Sequence, residues 1–494
     1  MIKNFLTLLS ILFFLNSYTN AQNQKILSDI KYQVGTGTYL SGKTPFWMRA
    51  NKYGLIPIEG PFVALQASAH KEYDSTKNDL KKIRKFSFGY GVQLAVNAGK
   101  QSQIFLPEAY VKFRFKSFEF YTGRRKEIVG LVDTTLGAGS FIWSGNALPM
   151  PKVQIAIPNY TSIIGHGLIS IKGAYVHGWF GNQHYTKGYY LHQKWIYGKI
   201  GRDSWNVNFY GGINHQVQWG GYSEIFKDNT FYTRDGFFSA DPFVYLNIVL
   251  PFGWKIPPNA RYNGYETLNR FGNHLGSVDL GVLIKTSLAD ISFYRQTPYE
   301  DGQMPEVFLS MDGNYSLSFD FKNEKQQLYK INFGYIDSRR QGKGITKFAK
   351  WIGKKETHYG ERQDYFNHGQ YRDGWAYLDN SIGNALILPN IDLVKKIKLN
   401  EYPVFTVDNR IQAYYIALMG KAGKYNYEIK SSLVSSLGSF SFRRDKNDEQ
   451  FSSLISVSYP IIKQNVNLKF NLALDQGQLY GKNIGISFFI IKKW

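Results

Sequence analysis

The chain contains no cysteine, which excludes disulfides and thiolate metal sites. Beyond its first residues it has no apolar run long enough for a transmembrane helix. Acid is scarce: 37 Asp and Glu stand against 59 Lys and Arg, for a formal net charge of +22 and a pI near 9.6. Such a surplus suggests an anionic partner. Nucleic acid is the usual candidate, but no recognition motif is present and the N-terminus reads as an export signal. Neither G-x-S-x-G nor H-E-x-x-H occurs, so nothing points to an enzyme, and no cofactor is expected.

Aromatics, in contrast, reach 17% while mean hydropathy is only −0.32. Many aromatics with moderate hydropathy and no long apolar run fit a membrane β-barrel. A soluble β-rich protein shares that profile, so the order of residues has to decide.

Lys3 precedes an apolar run from Phe5 to Leu15, followed by small residues at Thr19 and Ala21. This is the pattern of a secretory signal peptide, expected as residues 1–21 with the barrel over residues 22–494. No Cys follows the cleavage point, which argues against a lipoprotein. At the other end, Ile484, Ile486, Phe488 and Ile490 alternate with Asn483, Gly485, Ser487 and Phe489, and Trp494 closes the chain. A terminal strand ending in an aromatic resembles the sorting signal of bacterial outer-membrane barrels, although Lys492 interrupts its apolar phase.

Gly37-Thr38-Tyr39-Leu40-Ser41-Gly42-Lys43-Thr44 matches G-x-x-x-x-G-K-[ST], the phosphate-cradling loop of nucleotide-binding proteins. The match needs a strand before it and a helix after it. Gly54 and Pro57 leave little room for a helix, and an exported chain meets little ATP or GTP. No nucleotide is therefore expected, and Gly35, Gly37 and Gly42 are read as sites of turn and strand flexibility.

The dominant period is two. Phe86, Phe88, Tyr90, Val92, Leu94 and Val96 share one face, and Ser87, Gly89, Gly91, Gln93 and Ala95 the other. Asn206, Asn208, Tyr210, Asn214 and Gln216 oppose Val207, Phe209 and Ile213. Val466, Leu468, Phe470, Leu472 and Leu474 oppose Asn467, Lys469, Asn471 and Asp475. A membrane barrel turns the apolar face to lipid and the polar face to its lumen. A soluble sandwich would reverse them, but the polar faces here carry Gly, Ser, Asn and Gln rather than surface Lys and Glu. At roughly 25 residues per strand and loop the chain affords about 16 to 20 antiparallel strands, an even number.

Two stretches break the period: residues 123–160 and residues 358–389. Loops of this length in barrels lie outside the cell or fold into the lumen, and they often carry function. TPFWMRANKYGLIP (44–57), GRRKEIVGL with SGNALPMPKV (123–153), HQVQWGG (215–221) and YFNHGQYRDGW (365–375) together resemble the capsule assembly Wzi family. Leu148 departs from the pattern, where a basic residue is common after Asn-Ala. The resemblance implies an all-β outer-membrane barrel of about 18 strands, partly plugged, in the cell outer membrane of a Gram-negative bacterium. It implies a lectin-like protein taking part in assembly or surface attachment of capsular polysaccharide. Barrel physics alone would also allow a porin-like diffusion channel or, with less support, an outer-membrane enzyme on lipid or glycan. The expected partners are a surface polysaccharide, an acidic one fitting the positive charge, together with outer-membrane lipid and lipopolysaccharide.

Sugar recognition needs aromatic faces for C–H groups and amides or charges for hydroxyls. The candidates are Trp143 with Asn146, Trp219 with His215, and Tyr365, Asn367, Arg372, Asp373 and Trp375. For any one of them, interface aromatics and loop-stabilising hydrogen bonds are the favoured explanation. His358, Glu361, Asp364 and His368 can be drawn as a metal cluster, but their spacing lacks the i, i+4 pairing of a helical site, and no metal is expected.

Overall fold

Period-two stretches with one apolar and one small-polar face can satisfy their backbone in a membrane only by closing on themselves. In the computed structural model they do so. It describes residues 30–73, 86–250, 261–300, 310–323, 327–342, 344–345, 347–351, 353, 363–393 and 403–494. The expected signal peptide lies outside them, as do His358 and Glu361.

The barrel strands are β1 (Ile30–Leu40), β2 (Phe62–Lys71), β3 (Phe86–Gly99), β4 (Gln103–Phe115), β5 (Phe118–Arg124), β6 (Lys152–Ile164), β7 (Ile169–Asn182), β8 (Lys187–Ile200), β9 (Val207–Trp219), β10 (Asn273–Lys285), β11 (Ala289–Glu300), β12 (Gly313–Phe321) and β13 (Leu328–Asp337). A small hairpin follows, β14 (Ala376–Tyr377) and β15 (Asn380–Ser381). The barrel then resumes with β16 (Ile411–Ala422), β17 (Tyr425–Gly438), β18 (Arg443–Ile461), β19 (Val466–Gly477) and β20 (Asn483–Lys493). Omitting the hairpin, these form an 18-stranded sheet in which each strand pairs antiparallel with the next. β1 pairs β20, with Thr38 opposite Phe488, and the barrel is closed. No helix among the described residues is long and apolar enough to cross a membrane.

The faces fall as the alternation requires. Phe86, Phe88, Val92 and Leu94 are exposed on the outside, while Ser87, Gln93, Ala95 and Asn97 are buried inside. On β9, Val207 and Phe209 are exposed and Asn208, Asn214 and Gln216 are buried. An apolar exterior around a polar interior is the architecture of an outer-membrane barrel.

Loop lengths orient it. Residues 116–117, 165–168, 286–288 and 423–424 make short turns at the end that also holds the chain's last strand terminus. Residues 41–61, 125–151, 220–272 and 338–410 make long connections at the opposite end. Short turns belong to the periplasmic side and long loops to the cell surface.

Two readings need refinement. The period returns earlier than expected after residue 123: β5 runs to Arg124 and β6 begins at Lys152, so the irregular stretch is 125–151. Pro158 hides the start of β6, because it sits where the β6–β7 register shifts, and proline is tolerated in a sheet at such irregularities. The Gly-rich string is also only partly a loop, since its first four residues end β1. Gly37 lies inside β1, laddered to Ala64 on one side and Phe489 on the other. A Cβ there would stand 2.2 Å from the Phe489 ring, so glycine serves close approach rather than flexibility. Lys43 Nζ donates to the Asp392 carbonyl at 2.9 Å. Only a four-residue helix follows, α1 (Phe46–Arg49).

Candidate functional site

The 41–61 and 125–151 connections and the described parts of 338–410 turn inward and fill the barrel, joined by Phe226 and Phe238 of the 220–272 connection. Phe46, Trp47 and Met48 of α1, Phe141, Ile142 and Trp143, and Trp375, Ile387 and Val407 join one buried cluster with wall residues such as Tyr197, Leu275 and Tyr415. A loop in a lumen brings backbone groups that water no longer reaches, and each needs a partner. The inward polar side chains of the wall supply them. Asp279 accepts from Leu131 N at 2.8 Å, Gln296 Oε1 from Phe141 N at 2.9 Å, and Asp475 from Phe46 N at 3.0 Å. Asn314 Nδ2 donates to the Gly139 carbonyl at 3.0 Å. The Asn/Gln/Ser-rich inner face is thus the complement of this plug.

Charge locks the plug as well. Arg125 bridges Glu119 at 2.6 Å and Glu127 at 2.7 Å, and Glu127 also receives Lys152 Nζ at 2.7 Å. Burial alone would push the Glu127 carboxyl up, but Lys152 and Arg125 outweigh it and hold the group down at about 2. Arg49 pairs Asp392 at 2.6 Å, tying the 41–61 segment to the 363–393 segment.

The structure separates the sequence candidates into three places. Trp143, Asn146, Tyr365, Asn367 and Trp375 lie within the plug. Trp375 is fully buried, donates from Nε1 to the Ile142 carbonyl at 2.7 Å and meets Trp143 edge-on at 6.0 Å. Asn146 accepts from Asn51 N at 3.0 Å and donates to the Ser381 carbonyl at 3.2 Å. Tyr365 donates to Asp312 at 3.1 Å, and Asn367 exchanges hydrogen bonds with the Thr406 backbone at 2.9 and 3.0 Å. Leu148 is buried beside them.

Arg372 and Asp373 are half-buried at the cell-surface end. Asp373 accepts from Thr186 N at 2.8 Å, bringing the β7–β8 turn against the plug. Exposed Tyr185, and the His184–Asp379 pair at 3.0 Å, complete a polar and aromatic rim there. Sequence reading missed His184 and Tyr185 because a four-residue turn breaks no period. His368 is half-buried, its Nδ1 accepts from Gln370 N at 3.1 Å, and desolvation and Arg372 hold its pKa down at about 3. Asp364 accepts from Asn409 at 2.6 Å.

His215 and Trp219 belong to neither place. Both face outward on β9 in phase with exposed Phe209, yet both are buried. Part of the 220–272 connection, residues 241–250 with Tyr262 and Phe271, covers them on the outside of the wall. Its helix α2 (Pro242–Val249) starts with Asp241 accepting from Phe243 N and Val244 N and with proline in the first turn. Val244 and Ile248 of α2 pack on Val217 and Trp219. His215 and His274 share a hydrogen bond of 3.0 Å beneath this cover.

Two sizeable concavities stand out among the described residues. An apolar groove of about 530 Å³ between Phe333, Tyr335, Tyr414 and Ile416 lies on the outer wall, facing lipid. A cavity of about 360 Å³ lies inside the lumen, under α1, and is lined by Lys52, Lys126, Lys469, Tyr53 and Phe489 among others. Sequence reading missed it because its residues come from several segments far apart in the chain.

No family model matches the chain, and no curated protein sequence matches it. Solved structures do. OccK9 (OpdG) of Pseudomonas aeruginosa matches at 7% identity over 94% of this chain and 98% of its own, with a TM-score of 0.44. OprD of the same organism matches at 7% identity over 94% and 93%, with a TM-score of 0.43. Higher than these stands Wzi of Escherichia coli, an outer membrane protein involved in group 1 capsule assembly and a carbohydrate-binding β-barrel. It aligns over 95% of this chain and 86% of its own at 13% identity, with a TM-score of 0.56, so the two share a fold.

Proposed function

We propose that this protein is a non-catalytic, glycan-binding barrel of the Gram-negative outer membrane that takes part in assembly or surface attachment of capsular polysaccharide. The observation that carries the reading is the plug. Residues from the long connections and the inner wall form one continuous core, which leaves no reason for so elaborate a lumen in a simple diffusion pore. The shared fold with a carbohydrate-binding barrel of capsule assembly supports it, and the net charge of +22 suits an acidic polymer. The rim formed by Tyr185, His184, Arg372 and Asp373 offers an aromatic face and charged hydrogen-bonding groups at the cell surface. Residues 1–21 would direct export.

The test compares a deletion strain with its complement, measuring cell-bound against shed polysaccharide. Loss of retained polysaccharide at unchanged small-solute uptake supports the reading. Unchanged retention with lowered small-solute uptake replaces it with a diffusion channel.

A further inference from the structure

The cavity beneath α1 differs from the rim in position and chemistry. It lies toward the short-turn end, where Glu428 and Lys469 sit near the starts of β17 and β19. Lys52, Lys126 and Lys469 line it, and Lys430 stands beside them bound to Glu428 at 2.8 Å. That carboxylate is therefore already engaged. Glu108 also faces Lys126, whose Nζ is held by Gln93. Neither Lys52 nor Lys469 forms a salt bridge among the described residues. Lys52 is enclosed by the barrel yet open to the luminal space. Enclosure, followed by repulsion from Lys430 and Lys469, depresses its pKa to about 7. A set of unmatched ammonium groups kept together inside a protein is a standing cost, and an anion relieves it.

The rest of the lining selects among anions. Tyr39, Tyr53, Trp47 and Phe489 supply aromatic surface, and the Lys126 ammonium stands 5.2 Å from the Tyr53 ring centroid. Asn471 and Gln66 supply amides, and Asn51 Oδ1 is buried with no donor. Aromatic faces, amides and cations together suit a carboxylated sugar better than a bare inorganic ion. A volume of about 360 Å³ sits at the low end of ligand pockets, too small for a polymer and suited to the end of one.

We propose that this luminal cavity is a second glycan site, which takes a short uronate-type acidic saccharide on the periplasmic side of the plug. It rests on the glycan-binding reading above and names the chemical class and the place. The experiment uses purified mature protein in detergent, with a short glucuronate oligosaccharide as probe, a neutral glucose oligosaccharide of equal length, and inorganic phosphate as competitor. The acidic probe should bind, and the Lys52→Gln/Lys469→Gln double variant should weaken it about 100-fold, near tenfold for each charged hydrogen bond lost. The Lys52→Arg/Lys469→Arg variant should stay within a few-fold of the parent, which separates charge from folding. Acidic probe binding equally to the Gln variant overturns this site while leaving the glycan-binding reading intact. Equal binding of the neutral probe, or displacement by equimolar phosphate, overturns the uronate assignment. Failure of both saccharides, in a chain that still inserts, counts against both proposals.

Discussion

Two connections of this barrel break the strand period in the same way and end on opposite sides of the wall. Residues 125–151 go inward, whereas residues 241–250 of the 220–272 connection go outward, although Phe226 and Phe238 of that connection join the plug. The inward one meets a wall face of Asp279, Gln296 and Asn314, and its backbone is satisfied by those side chains. The outward one meets His215, Val217 and Trp219, a face with little to offer a loop backbone. It answers by forming a helix, which satisfies its own hydrogen bonds and presents apolar side chains both to the wall and away from it. Val244 and Ile248 are buried, while Leu246 and Leu250 are exposed in phase with the lipid-facing belt. Where a loop cannot borrow partners, it must be regular.

The largest effects should come from the inward side. Glu127→Ala strands Lys152, which is only 1% exposed, with its charge unpaired in the plug. Removing one partner of a buried pair costs about 3–5 kcal/mol. Trp375→Ala falls in a similar range, about 3–5 kcal/mol, by losing a buried indole and its bond to Ile142. Both variants should still insert, but ion conductance should appear in planar bilayers as the plug loosens. Trp219→Ala, an equally large aromatic on the outer side, should leave conductance at the parent level. Current through that variant would erase the distinction between the two loops.

The wall itself carries the next test. Leu472 faces out and Asn471 faces in, one residue apart near the middle of β19. Leu472→Arg should cost about 2–4 kcal/mol in folding into bilayers, whereas Asn471→Asp, beside luminal lysines, should cost about 1 kcal/mol or less. Equal costs would mean that one of the two faces is misassigned.

Most of the barrel was legible, because a period of two is a local signal and the terminal aromatic strand fixes where it ends. The Asn, Gln and Ser of the inner face pointed to a lumen, whereas the plug was an expectation from the family resemblance alone; the structure shows those side chains bonding its backbone. The site candidates were harder. Trp143, Trp375 and Tyr365 carry the residue types of sugar recognition, but the same types in the same loops also build a buried core, and only packing tells them apart. His215 and Trp219 sat in a strand with clear alternation, and nothing local says that their outward face is covered. The run PFVYLNIV is apolar all round, so it has no stripe to show which wall it will meet. Lys52, Lys126 and Lys469 converge only through closure of the barrel.

The smallest expected effect concerns how the outward loop is held. Glu266 in α3 (Gly264–Leu268) is buried and takes hydrogen bonds from Ser239 N at 3.1 Å, from Ser239 Oγ at 2.5 Å and from the Gln370 side chain of the plug, so it holds the loop where it meets the plug. Burial outweighs those bonds and pushes its carboxyl up to about 7 from an ordinary value of 4.5. The folded loop therefore holds a proton that the undocked loop releases across that interval. Stability falls as pH rises through the window from about 4.5 to 7 and levels off above it, since the undocked state binds fewer protons there. Hydrogen exchange of amides in residues 239–250 should accordingly be slower at pH 5 than at pH 8 after correction for intrinsic rates. Glu266→Gln, neutral at every pH, should remove that difference while amides of residues 129–143 show none in either protein. A pH response confined to the inward loop would place the titrating group inside the barrel and undo the contrast between the two.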